Sequence, residues 1–214
     1  MKKETVEILS NFAGINTGIL IRQGNVVRVL SGARTVFASA VVDESFPKEF
    51  AIYDLPEFLN TLAMFKEPQI TFEDNWILIK GDGTSVKYHY SSPTVVVAAP
   101  DKNPAFRGDP VLEFALSRAA LASIDKAANV LRLKDVRFDG ETGQAIVFNR
   151  DKSGNEFKVE LKDCKGVGSA LLSVANLKML PDDYNVRVDD VAAHFVSPNG
   201  GDLTYVVVRE QDKP

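Results

Sequence analysis

Reactive side chains are scarce in this 214-residue chain, which has one cysteine, Cys164, and two histidines, His89 and His194. A single cysteine forms no intrachain disulfide, which fits a reducing compartment. Cys/His spacing for zinc is absent. So are the phosphate-cradling GxxxxGK and GxGxxG patterns and the nucleophile turn GxSxG. Both histidines sit inside alternating, strand-like runs and read as strand-face residues. Ser91 and Ser92 have no base close by in sequence. The acidic pairs Asp182 with Asp183 and Asp189 with Asp190 lie beside expected turns, where solvated carboxylates are common. No catalytic residue, metal site or cofactor is indicated. Long apolar runs are missing too: stretches such as 95–99 fall far below the ~18 residues of a membrane span. The opening MKKETVEILSNF lacks the apolar core of a secretory signal. The net charge of −4, from 25 Lys and Arg against 29 Asp and Glu, excludes a chain that is basic overall. It leaves room for a locally basic face.

What is present is a globular composition, 45% hydrophobic and 25% charged. Residues 4–14 carry Val6, Ile8, Leu9 and Phe12 at helical spacing and are expected to form a short helix stopped by Gly14. Strands are expected at 17–22, 26–30, 35–42 and 46–53, with turns at Gly24-Asn25 and Ser31-Gly32. Asp54 is placed to cap a second helix bearing Phe58, Leu59, Leu62 and Phe65, closed by Pro68. Strands at 69–73, 76–80 and 85–90 follow, the last two joined by Gly81-Asp82-Gly83. Residues 91–110 then hold four prolines, which suits an extended connector. This reading gives domain 1 at 1–92, a connector at 93–110 and domain 2 at 111–214.

The second half repeats the order of the first. A strand at 111–116 leads into a helix at 117–130, with Ala120, Leu121, Ile124 and Ala128 on one face. Strands are expected at 131–138, 144–150 and 156–162, then a short helix at 169–177. Strands at 184–188, 191–196 and 203–209 close the chain, the last two joined by a turn at 198–201. Ile70 and Phe72 match Val186 and Val188 in phase, and Val86 and Tyr88 match Tyr205 and Val207. A period near half the chain means a duplicated domain rather than a solenoid. Each half is an α+β layer of antiparallel strands with two short helices on one face. Edge strands left unpaired call for a partner chain, and head-to-tail pairing of identical chains can close a ring.

Cations collect on the helices. Arg118, Ala122, Lys126 and Asn129 share the face opposite the apolar stripe of 117–130. Lys178 follows the last helix, Lys2 and Lys3 precede the first, and Lys66 ends the second.

The segments LSNFAGINTGILIRQG, FAIYDLPEFLNTL and VANLKMLPDDYNVRV resemble the sliding clamps of T-even-type bacteriophages, relatives in fold of proliferating-cell nuclear antigen. The resemblance spans essentially the whole chain and implies the DNA-clamp fold, a homotrimeric ring of six similar domains. It implies no enzymatic activity and no cofactor. It implies sequence-independent encirclement of duplex DNA, loading by an ATP-driven clamp loader, tethering of the replicative polymerase by its C-terminal peptide, and a part in late transcription. The setting would be the cytoplasm of an infected bacterium. By motif, Lys178 matches a DNA-facing lysine of the clamp family, and Arg118 and Lys126 match DNA-facing positions of a second domain. Lys2, Lys3 and Lys66 follow from helix position. The partner-peptide pocket is expected near the connector, at Val42, Val95, Val97, Ala192 and Val207. Subunits would join a strand near 95–99 to one near 156–162 of the next chain. The alternative reading is an oligomeric scaffold of the same fold that binds no DNA.

Overall fold

The computed structural model describes residues 1–150, 154–198 and 202–211. Most of the turn expected at 198–201 therefore lies outside the described residues. The chain divides into two compact units, Met1–Lys102 and Asn103–Pro214.

Unit 1 opens with α1 (Lys3–Ile15), which buries Thr5, Leu9 and Phe12 against α2, β2 and β3. The helix runs through Gly14 rather than stopping there. Its first turn is tied to β3: the Glu44 carboxylate accepts from the Lys2 N–H and the Thr5 hydroxyl. Strands β1 (Ile19–Ile21) and β4 (Phe50–Ile52) pair antiparallel, as do β2 (Gly24–Leu30) and β3 (Val36–Phe46). The expected strand at 46–53 is split because Pro47 has no N–H to offer a ladder. Asp54 caps α2 (Leu55–Ala63), its Oδ1 accepting from the Glu57 N–H at 2.9 Å. A three-stranded sheet follows in the order β5 (Gln69–Phe72), β6 (Trp76–Gly81), β7 (Thr84–His89). Asp82 and Gly83, at φ 49 and 74, form the two-residue turn that joins β6 to β7. After β7 a 3-10 turn, Pro93–Val95, is the last regular element of this unit. The expected edge strand near 95–99 is therefore not a strand.

Unit 2 has two sheets. One runs β12 (Lys162–Lys165), β8 (Leu112–Leu116), β14 (Tyr184–Val188), β15 (Ala192–Val196), β16 (Leu203–Val208); the other runs β11 (Phe157–Glu160), β10 (Gln144–Phe148), β9 (Asp135–Asp139), β13 (Ser169–Ser173). Alternation places Tyr184, Val186 and Val188 inward and Asn185 and Arg187 outward along β14. Phe114, Phe138, Phe195, Tyr184 and Tyr205 form the aromatic core. Helix α3 (Arg118–Leu131), capped by the Ser117 hydroxyl at the Ala120 N–H, packs on β10 and β11 through Leu121, Ile124 and Ala128.

Three sequence expectations for this unit fail. The helix at 169–177 is strand β13 followed by one 3-10 turn, Val174–Asn176, so the described chain has three α-helices and not four. Ala170, Leu171 and Leu172 are buried in succession, and a short apolar run covered on both faces carries no period that separates helix from strand. The ladder to β9 decides the matter. The strand expected at 131–138 starts at Asp135, because α3 reaches Leu131 and Arg132 turns left-handed. Asp189 is not a solvated turn carboxylate. It is 1% exposed, accepts the N–H groups of Val191, Ala192 and Arg107, and lies 3.3 Å from Nε2 of His194.

Three glycines hold unit 2 together where the β9–β10 turn meets the β12–β13 loop. A Cβ on Gly140 would lie 2.4 Å from the Gly166 carbonyl oxygen, and one on Gly166 (φ +95) would lie 2.5 Å from that of Val111. We predict that Gly166→Ala costs roughly 2–4 kcal/mol in urea unfolding, from strain and backbone collision together. Gly143→Ala, with φ +64 but open space, should cost about 1 kcal/mol.

The Asp189–His194 pair supplies a pH dependence. Burial alone would raise the Asp189 pKa, but the three N–H bonds and His194 outweigh it and hold the carboxyl below its ordinary value. Burial pushes His194 down despite Asp189, with Arg187 adding to the effect. Both groups bind protons less readily folded than unfolded, so both stabilise the fold above their unfolded values and lose that contribution on acidification. The urea midpoint should begin to fall below about pH 6.5 as the unfolded histidine protonates, and fall again near pH 4. His194→Gln should flatten the first decline.

Candidate DNA interface and partner groove

The six candidate cations occupy different surroundings. In unit 1, Lys2 caps α1 and its Nζ pairs with Asp43 at 2.8 Å, so its charge is already answered. Lys3 begins the helix, followed on the exposed side by Glu4, Glu7 and Ser10. Lys66 lies beyond the end of α2, exposed, its N–H directed at Asp82. The exposed side of α2 offers Glu57, Asn60 and Ala63. Neither helix of unit 1 has a surface free of anions.

Helix α3 differs. Arg118, Ala122, Lys126 and Asn129 are all exposed, and no exposed carboxylate interrupts them. The one acid of the helix, Asp125, is half-buried, and burial raises its pKa. At 1.5 Å per residue, Arg118 and Lys126 stand about 12 Å apart along the axis. Lys178 is exposed, but it follows a 3-10 turn rather than a helix. Its loop is held by two buried tyrosines: Tyr184 donates to the Leu180 carbonyl at 2.6 Å, and the Leu180 N–H donates to the Tyr205 oxygen at 3.1 Å. The Val174 N–H donates to the Lys134 carbonyl at 2.8 Å, which joins this stretch to the segment leaving α3. Arg132 and Lys134, both exposed, lie on that segment. Sequence reading passed over them because the basic pair in VLRLKD fell inside an expected strand.

Of the five expected pocket residues, Val42, Ala192 and Val207 are buried, Val97 is half-buried and only Val95 is well exposed, at 56%. Unit 2 instead shows a groove of about 580 Å3 floored by Leu171, Val191 and Val208 and rimmed by Asp190, Glu210 and Gln211. Val191 and Val208 neighbour the expected Ala192 and Val207, one step out of the strand phase. The walls are rigid. The Glu210 N–H donates to the Leu171 carbonyl, and the Arg209 guanidinium turns inward onto the carbonyls of Asp189 and Ser169 at 2.9 and 2.7 Å. A second groove, about 420 Å3, runs between α3 and the edge strand β11 and is lined by Lys126, Ala127, Val130, Leu131 and Phe157. Among the described residues no group of three or more His, Cys, Asp or Glu is placed to hold a metal. Among the described residues no helix is long and apolar enough to cross a membrane.

Comparison with known proteins identifies this arrangement of sheets and helices. The sequence profile of the DNA polymerase processivity factor family matches residues 2–97. The sliding clamp of Vibrio phage KVP40 is 35% identical over 149 residues, 69% of this chain and 67% of the relative. Among solved structures, the PCNA2–PCNA3 complex of Sulfolobus tokodaii superposes with a TM-score of 0.69 at 13% identity, over 96% of this chain and 95% of that one. PCNA of A. fulgidus, solved with the C-terminal region of FEN-1 bound, gives 0.65 at 14% identity over 98% and 96%. The fold is thus the DNA-clamp fold, and the chain belongs to the sliding-clamp family of DNA polymerase processivity factors, which are not enzymes.

Proposed function

We propose that three copies of this chain close into a ring around duplex DNA and tether a replicative polymerase to it. The observation that carries this reading is the exposed face of α3, which presents Arg118 and Lys126 with no exposed carboxylate between them. A surface that slides must attract phosphates without reading bases, and a few lysines and arginines per subunit do that. The overall negative charge keeps the rest of the surface from competing for DNA. Lys178 and Lys3 are assigned to the same lining; Lys66 and the paired Lys2 contribute less.

Ring closure follows from unpaired edges. Strand β11 ends its sheet, with Phe157 and Val159 half-buried on one side, and β7 ends another, with Val86 and Tyr88 in the same alternation. Pairing β11 of one copy with β7 of the next would satisfy both edges and cover the apolar groove beside Val130. This replaces residues 95–99 as the partner strand.

The polymerase C-terminal peptide is assigned to the groove over Leu171, Val191 and Val208, an apolar floor with a polar rim. The peptide seated on A. fulgidus PCNA supports this mode. Binding there makes each re-encounter with DNA intramolecular, which is the physical content of processivity. A clamp-loader ATPase that opens the ring and late-transcription factors that share the groove complete the proposal. The setting is an infected bacterium, in keeping with the phage relative.

Two measurements test it. Arg118→Glu with Lys178→Glu should shorten the products of a single polymerase binding event about tenfold at moderate salt while light scattering still gives a trimer. Val191→Asp should weaken capture of the polymerase C-terminal peptide about tenfold or more, roughly 1.4 kcal/mol, with DNA retention unchanged. Parent-like behaviour of either variant would refute the corresponding assignment.

A further inference from the structure

Resting on the reading of the chain as a DNA-threaded clamp, we propose that Arg132 and Lys134 contact DNA phosphates and extend the basic surface of α3 toward Lys178.

The first observation is conformational. Arg132 ends α3 in the left-handed region at φ 56, ψ 43, where its own N–H and that of Leu133 donate to the Ala128 carbonyl. This is the position at which helices usually place glycine, since a Cβ there is strained. The corresponding helix α1 ends without such a residue: its C-cap Asn16 is extended at φ −151. The left-handed end is therefore not a general demand of these helices. A long cationic side chain stands where the backbone would prefer none, and strain kept at one point is a pointer to use.

The second observation is rigidity. The Asn149 side chain bridges the segment, its Nδ2 donating to the Arg132 carbonyl at 3.3 Å and its Oδ1 accepting from the Lys134 N–H at 3.0 Å. The Lys134 carbonyl is held by the Val174 N–H at 2.8 Å. Three hydrogen bonds thus fix a three-residue platform between α3 and the stretch that carries Lys178.

The third observation is charge. Among the described residues, neither Arg132 nor Lys134 is paired with a carboxylate, whereas neighbouring Arg150 is held by Asp135 at 2.8 Å and Glu210 at 3.6 Å. Asp135, the acid next in sequence, is buried in that pair and leaves the two cations unanswered. Two exposed cations on a fixed backbone, continuous with Arg118 and Lys126, suit phosphate contact without base readout.

Binding of a short linear duplex, whose open ends admit a ring, is followed by fluorescence anisotropy across a salt series. The parent chain is compared with Arg132→Gly, Arg132→Asn, Lys134→Ala and the double variant Arg132→Gly/Lys134→Ala. The inference expects Arg132→Gly to melt no lower than the parent, because strain is relieved. It expects the double variant to bind about tenfold weaker at moderate salt, with a salt slope shallower by about one or more. Arg132→Asn, which tolerates the left-handed region, should lose affinity without loss of stability. A double variant that matches a salt-sensitive parent overturns this inference and leaves the clamp reading standing. A parent with no salt-sensitive binding overturns both. A fall in melting temperature in both Arg132 variants that accounts for their loss of affinity assigns Arg132 a structural role and overturns the proposal.

Discussion

On the proposed reading, a chain of net negative charge that lets phosphates pass over α3 has to keep its own carboxylates from crowding that helix face. Asp125 is half-buried on α3, Asp183 is occupied by the Arg118 backbone N–H, Asp135 is buried against Arg150, and Asp139 accepts the N–H groups of its own turn. Asp183, Asp135 and Asp139 are each committed to backbone or to an inward cation, and on α3 itself no exposed carboxylate stands between Arg118 and Lys126. Unit 1 has no such arrangement: Asp43 and Glu44 engage the start of α1, and Glu4 and Glu7 share its exposed side.

The two halves of the chain therefore differ in the charge of their helix surfaces within one architecture. The duplicated order of elements survives, but the second copy has exchanged its second helix for strand β13 and a single 3-10 turn. The exchange moves Lys178 from a helix surface to a loop, and Tyr184 and Tyr205 restore by side-chain hydrogen bonds the rigidity that helical backbone would have supplied. Their burial pushes both phenol pKa values well above the ordinary tyrosine value, so the hydroxyls stay protonated and the bonds persist across any working pH.

Much of this was legible in the sequence because local signals and tertiary demands agreed. Asp54 before α2, Asp82-Gly83 between β6 and β7, and the apolar stripe of α3 are short-range features with one physical meaning each. The errors fall where only tertiary contact decides. The run Ala170–Leu172 is equally apolar as helix or strand until β9 claims it, and Asp189 reads as a turn acid until Arg107 and His194 converge on it across the fold. The candidate surface was half visible. Cations at helical spacing on α3 gave themselves away, but a groove formed by alternate residues of separate strands carries no one-dimensional signature. Of the expected pocket residues, Ala192 and Val207 lie one position from Val191 and Val208 of the groove, on the buried side of their strands.

The glycine crossing in unit 2 bears on how such a chain can vary. The nearest obstacle to a Cβ at each of Gly140, Gly166 and Gly168 is a carbonyl oxygen, 2.4, 2.5 and 2.6 Å away. A bulky neighbour can be trimmed by a second mutation, but a carbonyl cannot. Loss of any one of these glycines therefore has no partner substitution able to restore it, and drift in this half of the molecule must route around a fixed knot of bare backbone.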